Sequence, residues 1–457
     1  MSAWRSLLSR SQPLVSRLRP ARSHAIASHL PPVGANSHLT ASRRYASNGD
    51  SHAEVNRQHP AAQERQKRHL YVVLDDHKDS YGIHKLDMDD HSDDLDDGHP
   101  SSPRRFPMLP ALSVARSTLS EWAKFTAVGS SIVAIGRKPQ GSTGEDDGRV
   151  LIYDTKEAKL LPSPRIPQGL EYGYEAAMAV GQRLYFLESV SGLHSLHRDQ
   201  VHPGGEYRYM YHGALHCLHA ADPPDVDVDV EGPGYKLWSW STDDRLLGVP
   251  FRANTITGHA VHAPPVSVAV HHDIYVSALV DTVMPKGVTF SFSTASGKWT
   301  RHGYWQLPVV GHAHYDDQLG AWLGLHSGEG SINSRRLVDG HLCAGNIASA
   351  PPEWKVGTEK LFHREEDMEA GWRNFDAKLV PMAPGEGGSE YCLMERLRPE
   401  GDVRESFGDG DKWLLRLTAF RVERGQDGLP VVTARRPVRC YKMSRYNKYF
   451  DAQAFWL

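Results

Sequence analysis

Three residues in the middle of the chain have the types and the spacing to hold a metal ion. His312, His314 and Asp316, in the run Gly311-His312-Ala313-His314-Tyr315-Asp316, alternate with other residues. On a β-strand all three side chains would share one face. Two imidazoles and a carboxylate are a donor set for zinc or iron, and a ring of repeated sheets could add ligands from its neighbours. The plainer reading of the same alternation is a row of half-exposed strand histidines.

The chain has 26 histidines, so other groups invite the same question. His212, His216 and His219 would share a face of a helix, but the residues around them lack helical periodicity. No HExxH pair and no GxSxG elbow occurs, and Gly385 to Gly388 lacks the GK[ST] of a phosphate loop. Glu365, Glu366 and Glu369 crowd one charged stretch and do not form a separated acid and base. Seven aspartates fall between Asp87 and Pro100. Aligned on Gly98, however, the third and twelfth positions of a calcium loop would be Leu95 and Arg104. That stretch reads as a solvated acidic loop. Asp225, Asp227 and Asp229 alternate with valines and would suit a hard cation on a strand, whereas Pro223, Pro224 and Pro233 argue for an irregular loop. No catalytic residue and no cofactor follows from these patterns.

The elements that must position these residues are short strands. Between Gly287 and Leu325, Val288, Phe290 and Phe292 alternate with Thr289, Ser291 and Ser293. A turn at Thr294–Gly297 follows, Trp299 opens a second extended run, and a third begins after Pro308. The stretch reads as the outer part of one antiparallel unit and the start of the next.

Two elements repeat. Ala127–Ala134, Ala179–Phe186 and Ala269–Val276 align without gaps, each an apolar pair, a polar turn and a second apolar run. Gly148–Thr155 aligns on Gly287–Thr294, with Lys159 on Lys298 and Leu160 on Trp299. Sheets that are apolar on both faces are stable only when stacked on their neighbours. The expected fold class is therefore all-β: a β-propeller, with a two-layer sandwich as the rival. Hairpins near Leu70, Ala127, Ala179, Leu215–Trp240, Ala269, Ala313 and Leu379 make six or seven blades. Trp238 and Trp240, on one face of a strand, read as packing between blades rather than a ligand platform. The proline-rich runs Arg105–Pro110 and Leu161–Pro167 read as exits between blades.

Charge and cysteine usage narrow the classes. Residues 1–49 carry seven arginines and no acid, within a chain of net charge −3. Removing them leaves 52 − 7 = 45 basic against 55 acidic residues, and no basic stripe for nucleic acid is visible. Cys217, Cys343, Cys392 and Cys440 are scattered and read as buried free thiols. No run of eighteen apolar residues exists, so no spanning helix is expected.

Residues 1–45 have the Ser- and Arg-rich, acid-free composition of an organelle transit peptide, with Trp4, Leu7, Leu8, Val15 and Leu18 at helical spacings. Arg43-Arg44-Tyr45-Ala46-Ser47 resembles a mitochondrial processing site cut after Tyr45; a chloroplast address is the rival. The expected organisation is a transit peptide at 1–45, a polar disordered linker at 46–67, a propeller at 68–445 closed near Val438–Met443, and a tail at 446–457.

Several stretches carry a resemblance: HLYVVLDDHKDSYGIHKLDMDD (69–90), RVLIYDT (149–155), GVTFSFSTASGKWTRHGYWQLP (287–308), AHYDDQLGAWLGL (313–325) and HLCAGNI (341–347). Together they resemble a grass-expanded family of kelch-like proteins known as domain-of-unknown-function family 1668. The resemblance implies a plant source and a propeller-like fold, and it carries no catalytic residues over. Family members bear a basic or acidic residue where His312 and His314 stand here, which leaves room only for a metal site private to this chain. Some kelch-like plant proteins have an F-box, but no F-box-like helical segment precedes residue 69.

The function expected is a non-enzymatic mitochondrial scaffold, monomeric, binding an unknown protein or small ligand. The rivals are a metal-dependent hydrolase or oxidase using His312, His314 and Asp316, and a ubiquitin-ligase substrate adaptor.

Overall fold

The structure is a computed structural model. It describes residues 68–457 except 78–79, 90–102, 107–108, 120–122, 137–148, 189–212, 222–236, 242–246, 263–272, 281–285, 329–337, 348–351, 363–371, 386–387, 400–412 and 444–451. All described residues lie in one compact unit, Gln66–Leu457. The acidic stretches at 90–97 and 222–229, the Glu365–Glu369 group and His212 lie outside the described residues, as does the Ala269-Val270 half of the third repeat.

The described residues are mostly strand, and their strands group into six antiparallel meanders in sequence order. The second meander is the simplest: Lys124–Val128, Ser131–Ile135, Val150–Asp154 and Lys159–Leu161. The third is Tyr174–Val180, Arg183–Glu188, Gly213–Ala221 and Leu237–Trp240. The fourth is Ile256–His262, Asp273–Val280, Lys286–Ser293 and Lys298–Gly303. The fifth is Gly311–Asp316, Ala321–Ser327, Val338–Asn346 and Glu353–Lys360. The sixth pairs the long strands Trp372–Gly385, Gly388–Pro399 and Leu414–Arg424 with Arg439–Lys442. The first combines Leu70–His77, Ser80–Leu86 and Leu112–Ala115 with Gln453–Trp456 from the far end of the chain.

Alternation explains the stacking. In the first meander Leu70, Val72 and Leu74 pack against Cys392, Met394 and Leu415 of the sixth. Tyr71 and Val73, pointing the other way, pack against Phe125, Ile132 and Tyr153 of the second. The same pattern continues round. Val133 and Ile152 meet Leu184, Phe186 and Trp238. Met178 and Tyr185 meet Val276 and Phe292, and Ala260 and Val309 meet Ala313 and Trp322. Leu323 and Leu342 meet Leu379 and Phe420. Each meander is thus apolar on both faces and sealed only by its neighbours, which is propeller-type packing.

The repeats fall on equivalent strands. Ile132, Leu184 and Ile274 each open the apolar run of a second strand and are fully buried. The Gly148 and Gly287 elements supply third strands, at Val150–Asp154 and Lys286–Ser293. The Gly287–Leu325 stretch divides as expected, into the outer half of the fourth meander and the inner half of the fifth. The four cysteines are free and buried.

Three expectations need correction. The Leu215–Trp240 hairpin is not a seventh unit. It forms the outer half of the third meander, pairing through Leu215–His219 with Arg183–Leu187. Arg104–Arg105, at the edge of the supposed exit loop, pairs in parallel with Tyr441-Lys442. Finally, the tail contains Gln453–Trp456, which pairs with Leu70–Val73 and supplies the strand beyond Val438–Met443 that ends the chain.

Candidate functional site

Polar contacts join the edge strands of neighbouring meanders. The Phe125 amide donates to the Gln453 side chain at 3.1 Å. Lys124 reaches the Tyr174 carbonyl at 2.5 Å, and Lys378 reaches the Ala452 carbonyl at 2.8 Å. Between the fourth and fifth meanders the contact is closer, because Ile256–His262 and Gly311–Asp316 pair in parallel, with His259 opposite His312. Gly258 permits this approach, since a Cβ there would sit 2.7 Å from the Val309 carbonyl oxygen.

That register assembles three imidazoles. His259 and His312 meet edge to face with centroids 4.7 Å apart. His312 and His314 stack at 4.3 Å and 17°. His314 Nε2 lies 3.2 Å from the Leu379 carbonyl of the sixth meander. A carbonyl only accepts, so Nε2 carries the proton and Nδ1 keeps the lone pair. All three rings are half-buried. Desolvation, followed by the neighbouring His314, lowers His259 to about 4. Desolvation also brings His314 to about 4, against the opposing pull of its bond to Leu379. His312 lies well below its ordinary value, through desolvation and then its two neighbours. The cluster is uncharged at neutral pH.

Asp316 is not part of this group. It is buried, and its Oδ1 accepts from the Gln318 amide at 2.9 Å, the Leu319 amide at 3.0 Å and Ser389 Oγ at 2.7 Å. Its Oδ2 accepts from the Tyr391 hydroxyl at 2.7 Å. The carboxylate therefore caps a turn and ties the fifth meander to the sixth. The Tyr391 hydroxyl is held protonated, first by burial and then by the Asp316 charge. Among the described residues no group of three His, Cys, Asp or Glu side chains is arranged to hold a metal.

His259 completes the imidazole cluster, and sequence reading passed over it. A signal was present: Gly258-His259-Ala260 and Gly311-His312-Ala313 are the same tripeptide, and the structure sets them side by side.

Other histidines pair within a single sheet. His216 lies 3.1 Å from Glu188, and His326 lies 2.6 Å from Asp339. His302 Nε2 lies 2.8 Å from Ser291 Oγ. The pairing suggests a base and a nucleophile, but Ser291 is buried. No carboxylate is hydrogen-bonded to the other ring nitrogen among the described residues. His216 and His219 lie on a strand and share no helical face.

The family model described as "Protein of unknown function (DUF1668)" matches residues 67–441. The chain belongs to that family. In this family member the match begins just before Leu70–His77 and ends within Arg439–Lys442, so it spans the described strands except Gln453–Trp456. No curated protein matches the chain. No helix among the described residues is long and apolar enough to cross a membrane.

Proposed function

We propose that this protein is a non-enzymatic, kelch-like scaffold of a plant mitochondrion, which binds a protein or small ligand at the mouth and loop faces of its ring of sheets. One observation carries this reading. The buried charged groups of the described residues join strands and meanders to one another, as Asp316 does with Ser389 and Tyr391 and Glu395 with Arg416 and Asn374. They do not converge on a reaction centre. The three clustered imidazoles are neutral hydrogen-bonding groups, suited to recognition rather than to acid–base turnover near pH 7. The targeting assignment rests on residues 1–45 alone.

Two measurements test the proposal. Proximity labelling from the C-terminus should recover mitochondrial matrix proteins, and N-terminal sequencing of the mature chain should begin at Ala46. A cytosolic or nuclear labelling pattern would favour the ubiquitin-ligase adaptor instead. Stoichiometric metal in the purified protein, lost with His312→Ala and His314→Ala, would favour the metal-dependent enzyme.

A further inference from the structure

The opening of the sixth meander presents an arrangement that the fold does not need. Arg373 and Arg398 are directly opposed on neighbouring strands, and like charges in that position destabilise a sheet. Among the described residues neither guanidinium has a hydrogen bond or an ion pair. Arg396 lies on the same face and bonds Asp376 at 2.7 Å. Among the described residues these strands set three guanidiniums, Arg373, Arg396 and Arg398, beside the Asp376 carboxylate.

Between them the ladder slips. The register shifts between Asn374 and Asp376, which makes Phe375 the extra residue of a bulge. Bulges re-aim side chains, and this one leaves Phe375 43% exposed. The Arg398 and Arg396 guanidinium carbons lie 4.9 and 5.3 Å from its ring centroid, and Trp413 meets it edge-on at 5.2 Å. A large apolar residue has been turned outward to serve as a backing plate for two cations. Guanidiniums seated on an aromatic ring keep their N–H edges free for an acceptor.

We propose that Arg398, seated on Phe375, and Arg373, directly opposite it on the neighbouring strand, form a binding site for a phosphate group. Residues directly opposed in an antiparallel pair are about 5 Å apart at Cα, so both forks can reach one tetrahedral centre. A phosphate dianion can neutralise both cations and accept from both. A lone carboxylate has one charge and leaves one fork unanswered. The site is separate from the imidazole cluster: Leu379 marks the level of His314 on this strand, and Arg373 lies six residues earlier, about 20 Å away at strand rise. The inference holds whether or not the scaffold reading is correct.

The phosphate could belong to a free small molecule or to a phosphorylated side chain of another protein, and two probes separate these. The full chain is titrated calorimetrically, at fixed ionic strength, with inorganic pyrophosphate and with a phosphoserine peptide, its unphosphorylated form serving as control. Saturable one-to-one binding of either probe is expected, and the tighter one identifies the source. Arg373→Gln and Arg398→Gln should each weaken that binding roughly tenfold or more, and the double variant should abolish it. Without ligand the double variant should melt no lower than wild type, because a repulsion has been removed. The proposal is overturned if neither probe binds saturably, if the double variant binds as tightly as wild type, or if the unphosphorylated peptide binds equally well.

Discussion

Asp316 accepts four hydrogen bonds, and none comes from the imidazoles two and four residues before it. Strand alternation placed the three side chains on one face, but it could not reveal that the sixth meander would capture the carboxylate. Tyr391→Phe leaves Oδ2 buried without its donor, which costs about 1–3 kcal/mol. Urea unfolding should show a midpoint shift of that size, and an unchanged midpoint would mean that water replaces the hydroxyl. The imidazoles give a second prediction at this scale. Their folded values lie below the ordinary histidine value near 6.5, so between that value and about 4 the unfolded chain binds more protons than the folded one. Stability is therefore fully present above pH 6.5 and falls as pH drops through this window. Each of His259 and His314 contributes at most about 3 kcal/mol to that fall. His312→Phe keeps a ring in the stack and removes one titrating group, so acid unfolding followed by circular dichroism should move to lower pH. An identical acid limb would show that the cluster does not govern it.

Strands were legible where burial imposes a rhythm. The rhythm at Val288, Phe290 and Phe292 is one of polarity: these three face the third meander, while Thr289 and Ser291 between them are buried as well and are hydrogen-bonded. The repeat at Ala127 and Ala179 marks two tight hairpins. Glu353–Lys360 was illegible because most of its side chains are exposed. The parallel register that brings His259 to His312 is set by packing between meanders, and only the shared Gly-His-Ala hinted at it. The sixth meander also buries a charge that no periodicity reveals. Glu395, 1% exposed, is held by Arg416 at 2.6 and 2.7 Å and by Asn374 at 2.9 Å. Arg416→Met strands that carboxylate and should cost about 3–5 kcal/mol, whereas Arg416→Met with Glu395→Leu should cost far less. Thermal denaturation of the two variants decides the point. Equal losses would mean that the site depends on packing shape rather than on charge.

For the molecule as a whole, stacking the described two-faced sheets requires the first and sixth to cover each other, and the first and last described strands meet there. Gln453–Trp456 pairs with Leu70–Val73, while the amide and carbonyl of His69 and Leu457 exchange bonds at 2.9 and 3.1 Å. Ala454 and Trp456 pack on the core shared with the sixth meander, and Phe455 and Leu457 pack on the core shared with the second. Four residues thus serve two interfaces. Joining ends almost 400 residues apart costs about 5 kcal/mol of chain entropy, which the terminal strand must offset. Removing residues 453–457 exposes one edge of Leu70–His77 and uncovers both cores, so the truncated chain should melt at least ~5 °C lower and associate through the bared strand. Size-exclusion chromatography and calorimetry measure both effects. Supplying the missing peptide in trans should reverse them, because it restores the same backbone pairs without the tether. A truncated chain that stays monomeric and melts like the intact one would mean that packing between the first and sixth meanders is sufficient, with the terminal strand only resting on a ring already held together.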